Sequence, residues 1–341
     1  MIVNPWTVSS LSLDIATTGL GLIAAVGAVK QFRTTTKRLP ETGERLAESE
    51  DRLYLLFWIG AVFLFLRFLA WPLFYFSLHS IIPEVAGAMC IFGTRNLQPV
   101  LTRILELTKP VLFFSGLVWL LVFRLERFFY QSGSGSKARK SSLTLLSFCL
   151  LAGLVDSIGS VFLWIQSNAE LAVSCCTTIT DIPSRFTVWI PTSLFGHEYQ
   201  PLLWGLFYGA NILLICVALL MARQVGKGVL KLPSFFFLLL LALINTVIGT
   251  FAFIEVIAPQ LMHLPFHHCV YCMLQNVMDA PVFVALFIAG NALLGAIFPV
   301  RFLAADWAEQ VHLCALTKKL LYFGALFLSG NLLMITTHIL L

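Results

Sequence analysis

The sequence predicts an all-α, polytopic membrane protein: a transmembrane helix bundle of about eight spans, with the N- and C-termini on the non-cytoplasmic side. Three observations lead there. First, apolar residues fill 59% of the 341 positions and charged residues only 11%, where a soluble domain carries about 25% charged residues. The mean hydropathy of +0.89 means that lipid must be the solvent for much of that surface. Second, apolar stretches of bilayer-crossing length recur at about 11–30, 53–76, 110–129, 143–166, 201–222, 232–257, 279–299 and 319–340. Third, Lys and Arg alternate between the intervening loops. Loops 30–52, 124–140, 223–231 and 301–319 hold 6, 5, 3 and 3 of them, while 1–10, 77–109, 167–200 and 258–278 hold 0, 3, 1 and 0. Cytoplasmic loops are the ones enriched in Lys and Arg, so the first set is placed inside.

The first span is the weakest, since it contains Asp14 and many small residues. Met1 to Ser10 carry no Lys or Arg, whereas a secretory signal opens on a positive region, so this stretch reads as a retained helix. The whole chain, 1–341, reads as a single integral membrane domain. Its cytoplasmic loops look like connectors: 131–140 is flexible and basic, 33–52 surrounds Pro40 with mixed charge as a short surface helix, and 303–316 has the pattern of an interfacial helix anchored by Trp307. Segment 96–108 has a helical apolar pattern suited to lying on the membrane. No phosphate-binding loop or dinucleotide fingerprint occurs, and the net charge of +5 sits in a few loops, so nucleic acid is not an expected partner. The lipid bilayer is one. Other membrane subunits, or a redox or metal partner protein on the outer side, are the others. The compact loops suggest a multi-pass protein of a bacterial inner membrane.

One motif recurs: Leu286-Phe-Ile-Ala-Gly-Asn291 matches Leu326-Phe-Leu-Ser-Gly-Asn331, with a fainter copy ending at Asn211. Small residues allow close helix approach and Asn can hydrogen-bond across it. Shared packing chemistry explains the likeness; an internal repeat is the alternative.

The non-cytoplasmic loops are poor in charge and rich in Cys, His and Pro. Five of eight cysteines fall there: Cys90, Cys175, Cys176, Cys269 and Cys272. Cys149 and Cys216 lie within spans, where a cysteine is usually a small hydrophobe, and Cys314 faces the cytoplasm. The sharpest segment is His263-Leu-Pro-Phe-His267-His268-Cys269-Val-Tyr-Cys272. Cys-x-x-Cys can close a redox disulfide or clasp a metal, and cationic His or a helix N-terminus favours the thiolate. Three readings follow. In a thiol–disulfide or electron relay, Cys269 and Cys272 exchange with Cys90 or the vicinal Cys175–Cys176, with a quinone as electron sink. In a metal site, His263, His267, His268, Cys269 and Cys272 hold copper or zinc. In a non-catalytic anchor or assembly subunit, the cysteines merely staple loops. The relay, a membrane thiol–disulfide oxidoreductase activity, leads.

The placement of Cys269-Val-Tyr-Cys272 at the outer mouth of a helix, with more cysteines in another outer loop, resembles the disulfide-forming and vitamin K epoxide-reducing membrane enzymes. The resemblance implies thiol oxidation. It is architectural, since this chain has about twice their span count and no longer motif aligns. A c-type haem needs His directly after the second Cys, where Met273 stands, and no span stacks two histidines for a b-type haem, so neither is expected.

Ionisable residues inside spans normally face the bundle interior. Arg67 and Asp156 are deep in the second and fourth spans and are expected to pair. Glu255 and Asp279 lie near the His/Cys loop. Asp279, two helical turns after Cys272, is expected to orient a histidine or accept a proton, and capping of the helix before Pro281 is the alternative. Arg95, near Cys90, either holds an anion or thiolate or snorkels to the headgroups.

Overall fold

The structure, a computed structural model, describes residues 2–36, 43–129, 135–168, 172–174, 181–182, 185–227, 230–306, 308 and 310–340. Cys175, Cys176, Pro40, Trp307 and the start of the basic connector at 131–134 lie outside the described residues. The fold is all-helical, with no strand among the described residues. Eight helices are long and apolar enough to cross a membrane: Pro5–Phe32, Asp51–Glu84, Pro99–Glu126, Arg139–Gln166, Tyr199–Gln224, Leu232–Leu261, Ala280–Ala304 and Val311–Leu340. Each overlaps an expected span. Helix is what this chemistry demands, because in hydrocarbon every backbone N–H and C=O needs a partner within its own segment.

The chain divides into two compact units, Met1–Val173 and Ser174–Leu341, with four spans in each. In the first, α1 (Pro5–Thr36) packs on α2 (Gly43–Ser80) and on α5 (Gly135–Gln166), and α4 (Pro99–Phe129) packs on α5 and α2, with the short α3 (Ile91–Arg95) between α2 and α4. The core is built from Phe57, Phe63, Trp119, Phe123, Leu146 and Cys149. Trp119 stacks on Phe123 at 5.2 Å and its Nε1–H donates to the Ser142 carbonyl at 3.1 Å, which satisfies the one polar atom of a fully buried ring. Cys149, fully buried, is the small hydrophobe expected of it. At one end, the Val173 N–H donates to the Ala86 carbonyl at 3.0 Å. Gly87 permits this approach: its φ is +83°, and a Cβ there would collide with the Val173 carbonyl oxygen.

Two surface helices expected from the pattern are parts of longer ones. Segment 96–108 does not lie flat; from Pro99 it continues through Pro110 as α4. Likewise 303–316 is divided between the end of one span at Ala304 and the start of the next at Gln310. Periodicity reports an amphipathic helix but not where the helix stops.

The continuity of α4 changes the account of buried charge. Arg67 and Asp156 do pair, and the pair belongs to a larger set. Arg67 Nη1 also donates to Asp14 Oδ1 at 2.6 Å and to Thr17 Oγ1 at 3.2 Å. Lys109 Nζ donates to Asp156 Oδ1 at 2.8 Å and lies 4.2 Å over the Phe74 ring. Each of α1, α2, α4 and α5 thus contributes one charge, and the four sum to zero. Arg95 is likewise partnered: it meets Glu106 at 2.8 Å and packs over Phe92.

The second unit holds α6 (Phe186–Phe195), α7 (Tyr199–Gln224), α8 (Leu232–Ala252), a π-helical turn (Phe253–Ile257), α9 (Ala258–Leu261), α10 (Val270–Asn276), α11 (Ala280–Ala304) and α12 (Gln310–Leu340). Helices α7, α8, α11 and α12 each pack on their sequential neighbours, and α12 closes against α7, the adjacency of an antiparallel four-helix bundle. The repeated Gly-Asn motif sits at these contacts. Asn245 Nδ2 donates both to Asn211 Oδ1 at 3.1 Å and to Asn291 Oδ1 at 3.0 Å, while Asn331 Nδ2 donates to the Phe283 carbonyl at 2.9 Å. Three asparagines therefore tie α7, α8 and α11 together. Asn245→Leu is expected to lower unfolding stability by about 1–2 kcal/mol, since interhelical bonds in membranes are worth roughly 0.6 kcal/mol on average and two acceptors would be stranded. Denaturant titration in detergent micelles measures it, and no loss would mean that the triad does not hold the helices.

Candidate functional site

The His/Cys segment connects α9 to α11 in the second unit, and its shape begins with a proline. The Ala258 N–H donates to the Phe253 carbonyl, one residue further back than in an α-helix. Pro259 has no N–H for the next carbonyl in that pattern, Ile254. The Ile254 oxygen is taken instead by His268, whose Nδ1 stands 3.3 Å away. A carbonyl can only accept, so Nδ1 carries the hydrogen and Nε2 presents a lone pair.

The chain then reverses at His263. The Leu264 N–H donates to the Pro259 carbonyl and the His263 N–H to the Gln260 carbonyl, both within 3.1 Å, the paired bonds of a Schellman cap. His263 occupies its left-handed position with φ 54°, where glycine costs least. His263→Gly is expected to stabilise the unit by about 1 kcal/mol, read as a higher thermal midpoint. A lower midpoint would show that the imidazole itself holds the loop.

A turn at Pro265 and Phe266, closed by the His267 N–H donating to the Leu264 carbonyl at 3.0 Å, leads into α10, with Cys269 preceding its first turn. Cys269 and Cys272 are both buried, 2% and 9% exposed. Their sulfurs lie within 4.8 Å of each other, and no disulfide joins them. The short helix brings this about: the Met273 N–H bonds the Cys269 carbonyl at 3.1 Å, which draws residues three apart onto one face.

The two histidines before Cys269 are held by one carboxylate. Asp181 Oδ2 pairs with His267 Nδ1 at 2.8 Å, and its Oδ1 accepts the His268 backbone N–H at 3.2 Å. Each imidazole thus has Nδ1 fixed by an oxygen acceptor, the arrangement that orients Nε2 in metal-binding histidines. No imidazole nitrogen of His263, His267 or His268 lies within 4.8 Å of both sulfurs, so the structure brings the two thiols together and leaves the histidines beside them.

Behind the loop is a buried ion pair that sequence reasoning missed. Glu255, 1% exposed, accepts Arg185 Nε at 3.0 Å and Nη2 at 2.7 Å, a bidentate pair, and the Tyr199 hydroxyl at 2.8 Å. Arg185 is the single cation of loop 167–200, a signal that it had a buried partner. Burial first, then the Arg185 cation, lowers the His268 pKa below the ordinary imidazole value of about 6.5 although Glu255 opposes this. The 3.7 Å approach of His268 to Glu255 is therefore that of a neutral imidazole. The sign for stability follows: between the lowered pKa and 6.5 the unfolded chain binds more protons than the folded one, so stability falls as pH drops through that window. A thermal midpoint that falls on acidification in this range, and falls less in His268→Asn, which keeps a donor for Ile254, is the expected result. Equal slopes would contradict it. A cleft of about 490 Å³ opens beside this ion pair, lined by Gln200, Trp204, Glu255 and His263 among others.

Asp279 does meet a histidine, but it is His338, with Nε2 2.6 Å from Oδ1, on the last turn of α12 and not in the His/Cys loop. Asp279 precedes α11 and makes no side-chain cap bond. Cys90 is buried in the first unit, just before α3, and its carbonyl accepts the Gly93 N–H at 2.9 Å.

No protein-family model, no curated protein and no solved structure matches this chain.

Proposed function

We propose that this multi-pass membrane protein binds a thiophilic d10 cation, copper(I) or zinc(II), through Cys269 and Cys272 on the non-cytoplasmic side. The observation that carries the reading is the pair of buried sulfurs within 4.8 Å. A metal with bonds of about 2.3 Å to each of two thiolates bridges sulfurs at such a separation. Two buried thiolates cost much free energy alone and little around a cation, so binding would convert both thiols to thiolates and release their protons. His267 and His268, with Nδ1 anchored, offer Nε2 as neighbouring borderline donors for capture or hand-over. The Lys/Arg alternation supports the outward placement of the loop, and with it of both termini.

The test is titration of protein purified under reducing conditions with zinc(II) and, separately, copper(I), each against a chromophoric competitor. Saturation at one ion per chain with proton release supports the proposal, and the tighter arm identifies the metal. Absence of binding in both arms, with a Cys269–Cys272 disulfide forming readily in air, would return the function to thiol–disulfide exchange.

A further inference from the structure

The four charges of the first unit hold a second, independent site. Asp14, Arg67, Lys109 and Asp156 are each at most 4% exposed and come from four different spans. They are unequally satisfied. Asp156 takes Arg67, Lys109 and the Thr108 hydroxyl. Asp14 has one strong bond, from Arg67, and its other oxygen meets only the Ser10 hydroxyl at 3.5 Å among the described residues. Static pins of helix register would have every polar atom matched, and from the charges to one end of the unit four are not. Arg67 Nε, Thr102 Oγ1, Ser160 Oγ and Trp164 Nε1 are buried without a partner among the described residues, each in a residue at most 2% exposed.

These orphans are aligned. On α5, Ser160 and Trp164 follow Asp156 at successive helical turns, and on α4 Thr102 precedes Lys109 by two turns. The register between the helices puts Thr102 at the level of Ser160, since a Cβ on Gly159 would touch the side chains of Leu105 and Leu101. Trp164 packs against Phe74 at 5.8 Å, the same ring that Lys109 covers. The series thus runs from the charges to the end of the unit where α5 finishes at Gln166 and α4 starts at Pro99. In the other direction the apolar core of Leu112, Trp119, Leu146 and Cys149 closes the bundle. Buried donors and acceptors of this kind are satisfied by internal water.

We propose that the first unit is a proton-binding site: Asp14 takes up a proton delivered from one side of the membrane along waters held by Trp164, Ser160, Thr102 and Arg67 Nε. The carboxylate becomes a carboxylic acid, Arg67 keeps Asp156 as its counter-ion, and the net charge of the set rises from zero to one positive. Arg67 faces Asp14 directly from α2, Lys109 and Asp156 stand behind it on α4 and α5, and no other titratable side chain of those helices joins the set among the described residues. The set shares no residue with the dithiol, and its test uses no metal.

The experiment is infrared spectroscopy of the full chain in lipid nanodiscs through a pH titration in H2O and D2O. A protonated-carboxyl band that grows on acidification, shifts promptly in D2O and is lost in Asp14→Asn is the expected result. Thr102→Val with Ser160→Ala keeps all four charges and is expected to slow the D2O shift. The inference is overturned by absence of such a band, by its survival in Asp14→Asn, or, where Asp14→Asn does not fold, by an unchanged D2O shift in the double variant.

Discussion

Cys269→Ser and Cys272→Ser are each expected to weaken metal binding by about a hundredfold to a thousandfold, with the fold intact. The magnitude follows from the free energy of thiolate sites, of order 10–16 kcal/mol for four ligands, or roughly 3–4 kcal/mol for each. Two sulfurs within 4.8 Å act as one chelating unit, so losing either breaks the chelate and most of the affinity disappears. The backbone bonds of the seven-residue helix remain, while a buried hydroxyl in place of the thiol costs about 1–3 kcal/mol. Cys216→Ser, at an exposed position on a span, is the control and should bind as the parent does. Competition titration reads all three. Equal affinity in parent and Cys272→Ser would rule out the dithiol as the ligand.

The largest stability effect is expected at Asp156. Asp156→Ala leaves Lys109 with no carboxylate at hydrogen-bond distance and Arg67 with Asp14 alone, and stranding a buried charge costs about 3–5 kcal/mol. The cost should fall when the cation is removed as well, so Asp156→Ala with Lys109→Leu is expected to be more stable than Asp156→Ala alone. Such a reversal is the signature of an ion pair and not of lost volume. Denaturant unfolding in micelles measures both. A loss below about 1 kcal/mol for the single variant would mean that water reaches and screens these charges.

Fold class and span count were legible because lipid imposes a strong, local pattern: about 20 apolar residues for each crossing. Partner choice was not, because it is set by tertiary contact. Asp14 weakened the reading of its own span, yet it is there to meet Arg67, 53 residues away. Lys109 counted as a loop residue because Pro110 follows it, and proline often marks a boundary; here the helix runs through it. At the His/Cys loop the motif itself was readable. Its supports were not, since Asp181 and Arg185 lie 86 and 70 residues from His267 and Glu255. The π-turn had a visible cause in Pro259, but no periodicity announces a bond that shifts by one residue. Asp279 shows the limit of helical arithmetic. Spacing placed it near Cys272, whereas the break at Val277 between α10 and α11 turns it toward His338.

The most direct test of the dithiol metal site is X-ray absorption at the metal edge of the chain loaded with one equivalent of copper(I) or zinc(II). The account predicts a first shell with two or more sulfur scatterers at about 2.3 Å or slightly less, reduced by one in Cys272→Ser. A shell of nitrogen and oxygen alone, at about 2.0–2.2 Å, would contradict it.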